Sequence, residues 1–259
     1  GKSLDYITAI WGWDEQAQRD YHTRGFDPDH WQIITADGAD IGMLTVEFDG
    51  TLIRKLNQSG PRYTSYPTAD RFSESFGYRD YLQAVAGLRT RGAAKPLSLY
   101  LHIPFCDTVC YYCACNKVVT KKRDKAVTYL GYLKREIEMQ GRLFVGMNYV
   151  EQLHLGGGTP TYLSDEQMGE LIAHVRRWFQ FAPDADGEYS IEIDPRTVTP
   201  GRVHSLRAQG FNRVSLGVQD FDPDVQRAVN RVQPEQETRA IIDAARGGGF
   251  RSVSIDLIY

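Results

Sequence analysis

Strand-like and helix-like patterns of hydrophobic residues alternate along the chain from about residue 96 onward. Short runs rich in branched and aromatic residues predict five strands, at Leu97–Ile103, Gln152–Leu155, Tyr189–Ile193, Arg213–Val218 and Ser252–Tyr259. Longer amphipathic stretches predict helices over Ala126–Phe144, Ser164–Phe179, Gly201–Ala208, Pro223–Val229 and Pro234–Gly247. Because strands that alternate with helices are typical of right-handed βαβ units, the pattern predicts an α/β fold with a parallel sheet.

Residues 1–49 have a different character. A helix-like run over Asp14–Arg24 is followed by two apolar strands within Gln32–Glu47, arranged around Asp37-Gly38 as in a hairpin. This helix and hairpin resemble the front portion of an acetyltransferase of the GNAT family, although the acetyl-CoA-binding loop of that family is missing. The alternative is a small extension that caps the main domain.

Residues 50–95 form a second predicted segment. Two prolines within 59–68 exclude a helix there and predict an extended stretch, and helical periodicity resumes over Tyr78–Leu88. Residues 96–259 are then the parallel-sheet domain. Within it, Ser164 before two acidic residues predicts a helix N-terminus, and Gly210 predicts a helix end.

Composition narrows the class of protein. The chain has 259 residues, 42% of them hydrophobic, and a net charge of -3, which gives no sign of a nucleic-acid-binding surface. Its apolar runs fall short of the roughly 20 residues that a membrane span needs, and its start lacks the pattern of a signal peptide. We therefore expect a cytoplasmic protein in a reducing compartment.

All four cysteines lie within ten residues, at Cys106, Cys110, Cys113 and Cys115. Clustered cysteines in such a chain indicate metal or redox chemistry rather than a disulfide framework. Thiolates are soft ligands, preferred both by zinc and by iron–sulfur clusters. The Cys-x3-Cys-x2-Cys spacing favours a cluster with three protein ligands, because the Cys113-Ala-Cys115 step is too tight for a comfortable fourth. A closed zinc site is the alternative.

Polar and glycine residues recur where the predicted strands end. Parallel α/β folds bind ligands at the carboxyl ends of their strands, so these residues are expected to share one face. Tyr100 and His102 alternate with Leu101 and therefore point to the same side of the first strand. The later strand ends carry Gly156, Gly157, Gly158, Thr159, Glu192, Asp194, Gln219, Asp220 and Asp256.

Several of these residues have a plain structural interpretation. The three glycines either admit a ligand or make a tight turn, and the absence of a following Lys-Ser/Thr excludes a nucleotide P-loop. For Asp194 and Asp220, capping of turns is the better interpretation. Glu192 lies in an apolar strand, and we expect it to be buried with a partner.

Together these elements resemble the radical SAM superfamily and, within it, the oxygen-independent coproporphyrinogen III oxidases. The resemblance covers residues 51 to 259. It is carried by the three-cysteine motif and by the stretches at 59–68, 102–106, 113–117, 154–163, 191–195, 210–221, 230–231 and 255–259. It implies a partial (β/α) barrel that presents five of the family's six strands, since the family continues past Tyr259 with a sixth strand and a C-terminal helical domain. Residues 1–49 have no counterpart in the family.

The resemblance also implies a role for each candidate residue. Cys106, Cys110 and Cys113 would bind a [4Fe–4S] cluster, and Cys115 would lie beside it without binding it. Tyr100 and Cys115 are the candidate catalytic residues. The implied contacts with one or two molecules of S-adenosylmethionine are Tyr100, Tyr112, Gly157, Gly158, Thr159, Glu192, Gln219, Arg231 and Asp256.

The implied reaction is the oxidative decarboxylation of two propionates of coproporphyrinogen III to vinyls, giving protoporphyrinogen IX without oxygen. A radical formed from S-adenosylmethionine, with one electron from a separate donor, would abstract a hydrogen atom from each propionate, and loss of CO2 with one electron would complete the vinyl. The implied protein is a monomer with a small-molecule substrate, no nucleic acid and no membrane span. Two alternatives stay open: a haem-chaperone relative in the same superfamily, and a zinc-stabilised module that binds a small ligand.

Arg62 is a candidate for binding a propionate of the substrate, because a guanidinium suits carboxylates.

Overall fold

The structure is a computed structural model that describes residues 31–36, 39–45, 71–90 and 95–258. The chain divides into two compact units, Gly1–Phe72 and Ser73–Tyr259. In the first unit, β1 (Trp31–Ala36) pairs antiparallel with β2 (Ala39–Thr45), which confirms the predicted hairpin. The predicted helix at Asp14–Arg24, the extended stretch 59–68 and Arg62 lie outside the described residues.

The second unit begins with one helix and continues with alternating strands and helices. Its helices are α1 Tyr78–Thr90, α2 Asp124–Leu143, α3 Asp165–Trp178, α4 Pro200–Ala208, α5 Pro223–Ala228 and α6 Glu235–Gly247. Its strands are β3 Leu97–Ile103, β4 Phe105–Cys106, β5 Val118–Val119, β6 Tyr149–Gly157, β7 Gln180–Phe181, β8 Glu188–Ile193, β9 Arg213–Gln219 and β10 Ser252–Leu257. Two short 3₁₀ turns follow strand ends, at Pro160–Tyr162 and Pro195–Thr197.

A parallel sheet organises this unit, as predicted. The strands are ordered β10-β9-β8-β6-β3, so strands that follow one another in the chain lie side by side, as in a singly wound α/β fold. The sheet has a sixth member that the hydrophobic pattern did not predict, the two-residue strand β7, which pairs with β6. In the described part of the chain the sheet is open, with β3 and β10 at its edges.

The two faces of the sheet differ in polarity. Strand β9 shows this directly, because Val214, Leu216 and Val218 are fully buried while the residues between them are partly exposed. The buried face packs with the helices in one hydrophobic core. The opposite face carries a polar set that the pairing register brings into neighbouring rows: Tyr100, His102, His154, Glu192, Ser215 and Asp256. The pleat therefore assigns apolar residues to the core and polar residues to the other side.

The helix ends follow their sequence signals. Ser164 is the N-cap of α3, as predicted, and the structure adds a capping box between Ser164 and Gln167. After α4, Gly210 has a φ of 105° and Phe211 donates its N–H to the Leu206 carbonyl, so the helix ends in a Schellman motif. In the described part of the chain, no helix is both long enough and apolar enough to cross a bilayer.

The buried side chain of Asn212 ties the start of β8 to the start of β9. Its Oδ1 accepts from the Tyr189 N–H at 2.8 Å, and its Nδ2 donates to the Gly187 carbonyl at 2.8 Å. Its backbone carbonyl accepts from the Arg251 N–H at 2.8 Å, at the start of β10. One residue thus aligns three adjacent strands at the end of the sheet opposite the polar strand ends.

We predict that Asn212→Ala lowers the free energy of unfolding by about 1–3 kcal/mol, because it leaves the buried Tyr189 N–H without a partner and removes one of the two hydrogen bonds to the Gly187 carbonyl. Urea denaturation followed by circular dichroism measures the change. The control is Gln236→Ala on the exposed face of α6, which should stay within about 0.5 kcal/mol of the parent. Equal stability of the two variants would contradict this role of Asn212.

Candidate active site

A short parallel ladder closes the cysteine loop. In it Phe105 pairs with Val118 and Cys106 with Val119. The Val118 N–H donates to the Pro104 carbonyl at 2.7 Å, and within the loop the Cys113 N–H donates to the Cys110 carbonyl at 3.1 Å. All four thiols are free, and three of them are partly buried while Cys115 is exposed. The loop therefore presents its sulfur atoms from an ordered backbone.

The glycine end of β6 lies directly against this loop. The Gly158 N–H donates to the Ile103 carbonyl at 2.9 Å, and the Thr159 N–H donates to the Phe105 carbonyl at 2.8 Å. A Cβ at Gly158 would be 2.7 Å from the Pro104 carbonyl oxygen. Gly157 has a φ of 116°, a conformation that side chains rarely adopt. The glycines thus serve the packing of the loop on β6 as well as leaving space at the strand end.

The other side of the loop is held by the turn after α5. The Tyr111 N–H donates to the Val229 carbonyl at 3.1 Å, and Asn230 Nδ2 donates to the Val109 carbonyl at 2.7 Å. Asn230 itself has a φ of 55°, in the left-handed region that asparagine tolerates better than most residues. The loop is therefore fixed by residues more than a hundred positions away in the sequence.

An ion pair anchors the start of the loop. Both Asp107 carboxylate oxygens accept from Arg123 Nη2 at 2.9 Å. The same guanidinium lies 3.7 Å from the ring centroid of Tyr162 and donates to the Tyr162 carbonyl at 2.8 Å. The contacts of Arg123 thus connect Asp107, next to Cys106, to the Pro160–Tyr162 turn after β6.

These elements enclose a cavity of about 240 Å³. Its lining includes nearly all the residues singled out from the sequence: Cys106, Cys110, Tyr112, Cys113, Cys115, Gly157, Gly158, Thr159, Glu192, Gln219, Arg231 and Asp256. Tyr100 is not among the lining residues and is 57% exposed. The structure therefore brings the cysteine loop and the strand ends to one place, as the parallel topology predicts.

Tyr100 lies at the edge of the cavity in a chain of polar contacts. Its hydroxyl is 3.0 Å from Nδ1 of His102, and its ring stacks on His154 at a centroid distance of 5.8 Å. His154 Nε2 is in turn 3.2 Å from Oε1 of Glu192, whose second oxygen accepts from the Gly157 N–H at 3.0 Å. The expectation that Glu192 is buried was wrong, because its side chain is 39% exposed towards this open, polar face. The expected partners are present.

The last two strands contribute a second polar pair. Ser215 Oγ donates to the Asp256 carboxylate at 3.0 Å, across the β9–β10 pairing. Gln219 ends β9 with a φ of 71°. Asp220 behaves as the structural interpretation predicted, since its Oδ1 accepts from the Asp222 N–H in a turn at 2.8 Å.

Sequence reasoning gave Asp194 only a structural role and did not single out Arg196. Asp194 caps the Pro195–Thr197 turn as predicted, but its carboxylate also forms ion pairs with Arg196 and Arg231 and lines the cavity. Arg196 follows Asp194 by two residues, and the turn between them brings its guanidinium back to that carboxylate. Its Nη2 donates to Asp194 at 2.7 Å and lies 3.7 Å from the Cys110 sulfur.

Burial controls the protonation of several groups here. It raises the pKa of the Cys106 thiol, against a hydrogen bond from Thr159 that lowers it. Burial, together with the neighbouring Cys113 thiol, raises the pKa of Cys115 to about 11. Burial also raises the pKa of Tyr112 to about 12, against the opposing charge of Arg231. In the protein alone these groups are therefore neutral near pH 7.

No three His, Cys, Asp or Glu side chains within the described ranges are arranged around one point where a single metal ion would bind. A cubane cluster does not need such a point, because each cysteine that holds it binds a different iron.

Comparisons with known proteins agree on the family. The radical SAM superfamily matches residues 100–259. The chain is 54% identical over 215 residues to the oxygen-independent coproporphyrinogen III oxidase of Pseudomonas aeruginosa, and 53% identical over 214 residues to that of Escherichia coli. Each alignment covers 83% of this chain but only 46% and 45% of the two relatives, so the chain spans about half their length.

A solved structure matches the fold as well. The E. coli coproporphyrinogen III oxidase, described as a radical SAM enzyme, superposes with a TM-score of 0.71 at 49% identity. The match covers 83% of this chain and 46% of that one.

We predict that Gly158→Ala destabilises the protein by about 1–3 kcal/mol, because the added methyl group meets the carbonyls of Pro104 and Phe105 and pushes the cysteine loop away from β6. Urea denaturation measures the loss. The matched control is Gly131→Ala in α2, where nothing lies within 4 Å of the new Cβ, and a gain of about 0.5–1 kcal/mol is expected. A Gly158→Ala protein as stable as the control would refute the close approach.

Proposed function

The chain belongs to the radical SAM superfamily, and on that premise we propose that it carries the oxygen-independent oxidative decarboxylation of coproporphyrinogen III. The observation that carries the proposal is the single cavity in which three cysteines of one loop face the polar ends of β6, β8, β9 and β10. The similarity to the P. aeruginosa and E. coli oxidases supports coproporphyrinogen III as the proposed substrate. The chain spans about half the length of those relatives, so the activity of a complete oxidase comes to this chain only as a proposal.

The donor set of the loop fits an iron–sulfur cluster. Cys106, Cys110 and Cys113 are unpaired, partly buried, and presented by one backbone loop to one cavity. Thiolates are the usual ligands of [4Fe–4S] clusters. We assign these three cysteines to the cluster and leave its fourth iron for a small ligand. Cys115 is exposed and is not assigned as a ligand.

The rest of the cavity fits S-adenosylmethionine. Arg231 offers a guanidinium for the carboxylate of the methionine part, while Glu192 and Asp256 offer acceptors for an amino group and for ribose hydroxyls. Gln219, Thr159 and the backbone of Gly157 and Gly158 add neutral donors and acceptors. Tyr112 lines the same cavity and is assigned to the adenine, and Tyr100 at its edge is assigned to the side nearest the cluster.

When bound, the reduced cluster and S-adenosylmethionine supply the one-electron chemistry that abstracts hydrogen from the substrate. The chain's own residues bind and orient these groups. The loop contacts with Gly158 and Asn230 fix the three thiols, and Glu192 is oriented by the Gly157 N–H and His154. Rigid placement of this kind is the protein's contribution to such reactions. Tyr100 and Cys115, both at the open side, are the candidates for contact with the substrate.

The proposed substrate is a small molecule, coproporphyrinogen III, of which two propionates become vinyls in protoporphyrinogen IX. For each propionate, a separate donor would supply the one electron used in the cleavage of S-adenosylmethionine, and a separate acceptor would take the one electron released with CO2. We propose a monomer in the cytoplasm, a reducing compartment that keeps the four thiols available. A haem-chaperone relative would bind haem without decarboxylating coproporphyrinogen, and a zinc module would hold one ion with four closed ligands.

We predict that anaerobic reconstitution with iron and sulfide loads the chain with about four irons and gives a brown colour that dithionite bleaches. Cys106→Ala, Cys110→Ala and Cys113→Ala should each lose most of this iron, because each removes one of three ligands. The iron and sulfide contents and the visible spectrum of each variant measure this loss. Cys115→Ala is the matched control and should keep its iron. Stoichiometric zinc without colour in the parent chain would instead support the zinc module.

We predict that the loaded chain cleaves S-adenosylmethionine to methionine and 5′-deoxyadenosine under dithionite, and that Cys110→Ala falls to background. Chromatography measures the products. Joined to the C-terminal part of the P. aeruginosa oxidase, the chain should also release CO2 from carboxyl-labelled coproporphyrinogen III. Cleavage that persists in Cys110→Ala would refute the assignment. Haem binding without CO2 release by the joined protein would favour the haem-chaperone alternative.

A further inference from the structure

Three charged side chains meet beside Cys110. Asp194 accepts from Arg196 Nη2 at 2.7 Å, from Arg196 Nε at 3.0 Å and from the Arg196 backbone N–H at 3.0 Å. Its carboxylate also lies 3.3 Å from Arg231 Nη2. Their side chains are only 8%, 20% and 9% exposed, respectively. The carboxylate therefore holds two guanidinium groups in place, largely shielded from water.

Both guanidinium groups reach the sulfur of one cysteine. Arg231 Nη1 lies 3.4 Å from Cys110 Sγ, and Arg196 Nη2 lies 3.7 Å from it. Cys106 Sγ, in contrast, accepts from the neutral hydroxyl of Thr159 at 3.5 Å. The described surroundings thus distinguish Cys110 from Cys106 by the charge of the donors.

The charges beside Cys110 do not cancel. An arginine side chain keeps its proton in proteins, so two positive groups face one carboxylate and leave one net positive charge. Water screens this charge weakly because the group is nearly buried. Adding an electron to a cluster makes it more negative, and hydrogen bonds to its sulfur atoms and nearby charge are known to set its reduction potential.

From this geometry we propose that the group of Asp194, Arg196 and Arg231 raises the reduction potential of the cluster bound at Cys110. Within this group Arg196 is a positioning residue, and its positive charge favours the reduced state of the cluster. The inference rests on the cluster assigned above. It adds a role for Arg196 and Asp194, which are distinct from the proposed ligands of the cluster and of S-adenosylmethionine.

The group contains charges of both signs, so removing a positive or a negative charge should shift the reduction potential in opposite directions. A purely structural role would not produce opposite shifts. Arg196→Gln removes a positive charge and should shift the reduction potential of the loaded chain to more negative values. Asp194→Asn removes the negative charge but can still cap the turn through its amide oxygen, and it should shift the potential to more positive values. Arg196→Lys keeps the charge and should lie between Arg196→Gln and the parent.

The potentials are measured by anaerobic redox titration of the visible and electron paramagnetic resonance signals, without S-adenosylmethionine because Arg231 is also assigned to it. The matched control is Arg202→Gln in α4, a mostly buried arginine paired with Asp165 outside the cavity, which should leave the potential unchanged. Opposite shifts in Arg196→Gln and Asp194→Asn support the inference. Shifts in the same direction, or none beyond the control, overturn it.

If Arg196→Gln does not retain the cluster, the test uses Asp194→Asn and Arg196→Lys instead. Shifts of the potential in opposite directions in these two variants support the inference, and shifts in the same direction overturn it. A parent chain that takes up no cluster would overturn the proposed function, and the inference with it. A loaded parent whose variants do not move the potential would overturn the inference alone.

Discussion

The whole candidate site depends on the close approach of the cysteine loop to the glycine end of β6. Two backbone hydrogen bonds, from Gly158 to Ile103 and from Thr159 to Phe105, join the first strand of the sheet to the second where the loop begins. A side chain at Gly158 has no room between the two backbones. Without this contact the three thiols would still be near one another in sequence, but not above the strand ends that complete the cavity.

The pleat of the parallel sheet supplies the second half of the site. Parallel sheets in α/β proteins are commonly covered by helices on both faces and have strands that are apolar throughout. Strand β9 instead alternates, with Leu216 and Val218 in the core and Ser215 and Gln219 towards the cavity. The register then sets Glu192 beside Ser215, and Asp256 beside Gly217. Polar groups from strands far apart in the chain therefore line one surface, which suits a ligand with several polar groups.

The sequence predicted the regular part of this structure well and the irregular part poorly. Strand β3 was predicted at its observed bounds because hydrophobic runs mark such strands. Strand β6 is longer than predicted, because Gly156 and Gly157 pair with His102 and Ile103 although glycines resemble a turn. Strand β7, with two residues, is too short to show any period.

The site residues divide in the same way. The cysteines and strand-end residues were found because they stand at recognisable places in a repeated pattern. The contacts of Arg196 with Asp194 and Cys110 were missed, since the last of these joins residues 86 positions apart. Its role depends on how the turn after β8 folds, and no local pattern reports that.

The central claim is that three thiols of one loop hold a cluster whose remaining iron faces S-adenosylmethionine in the same cavity. Electron paramagnetic resonance of the reconstituted and reduced chain, recorded before and after S-adenosylmethionine is added, tests it most directly. We predict that the spectrum of the cluster changes on addition, because a ligand reaches the open iron. A cluster spectrum that stays the same at saturating S-adenosylmethionine would contradict the account.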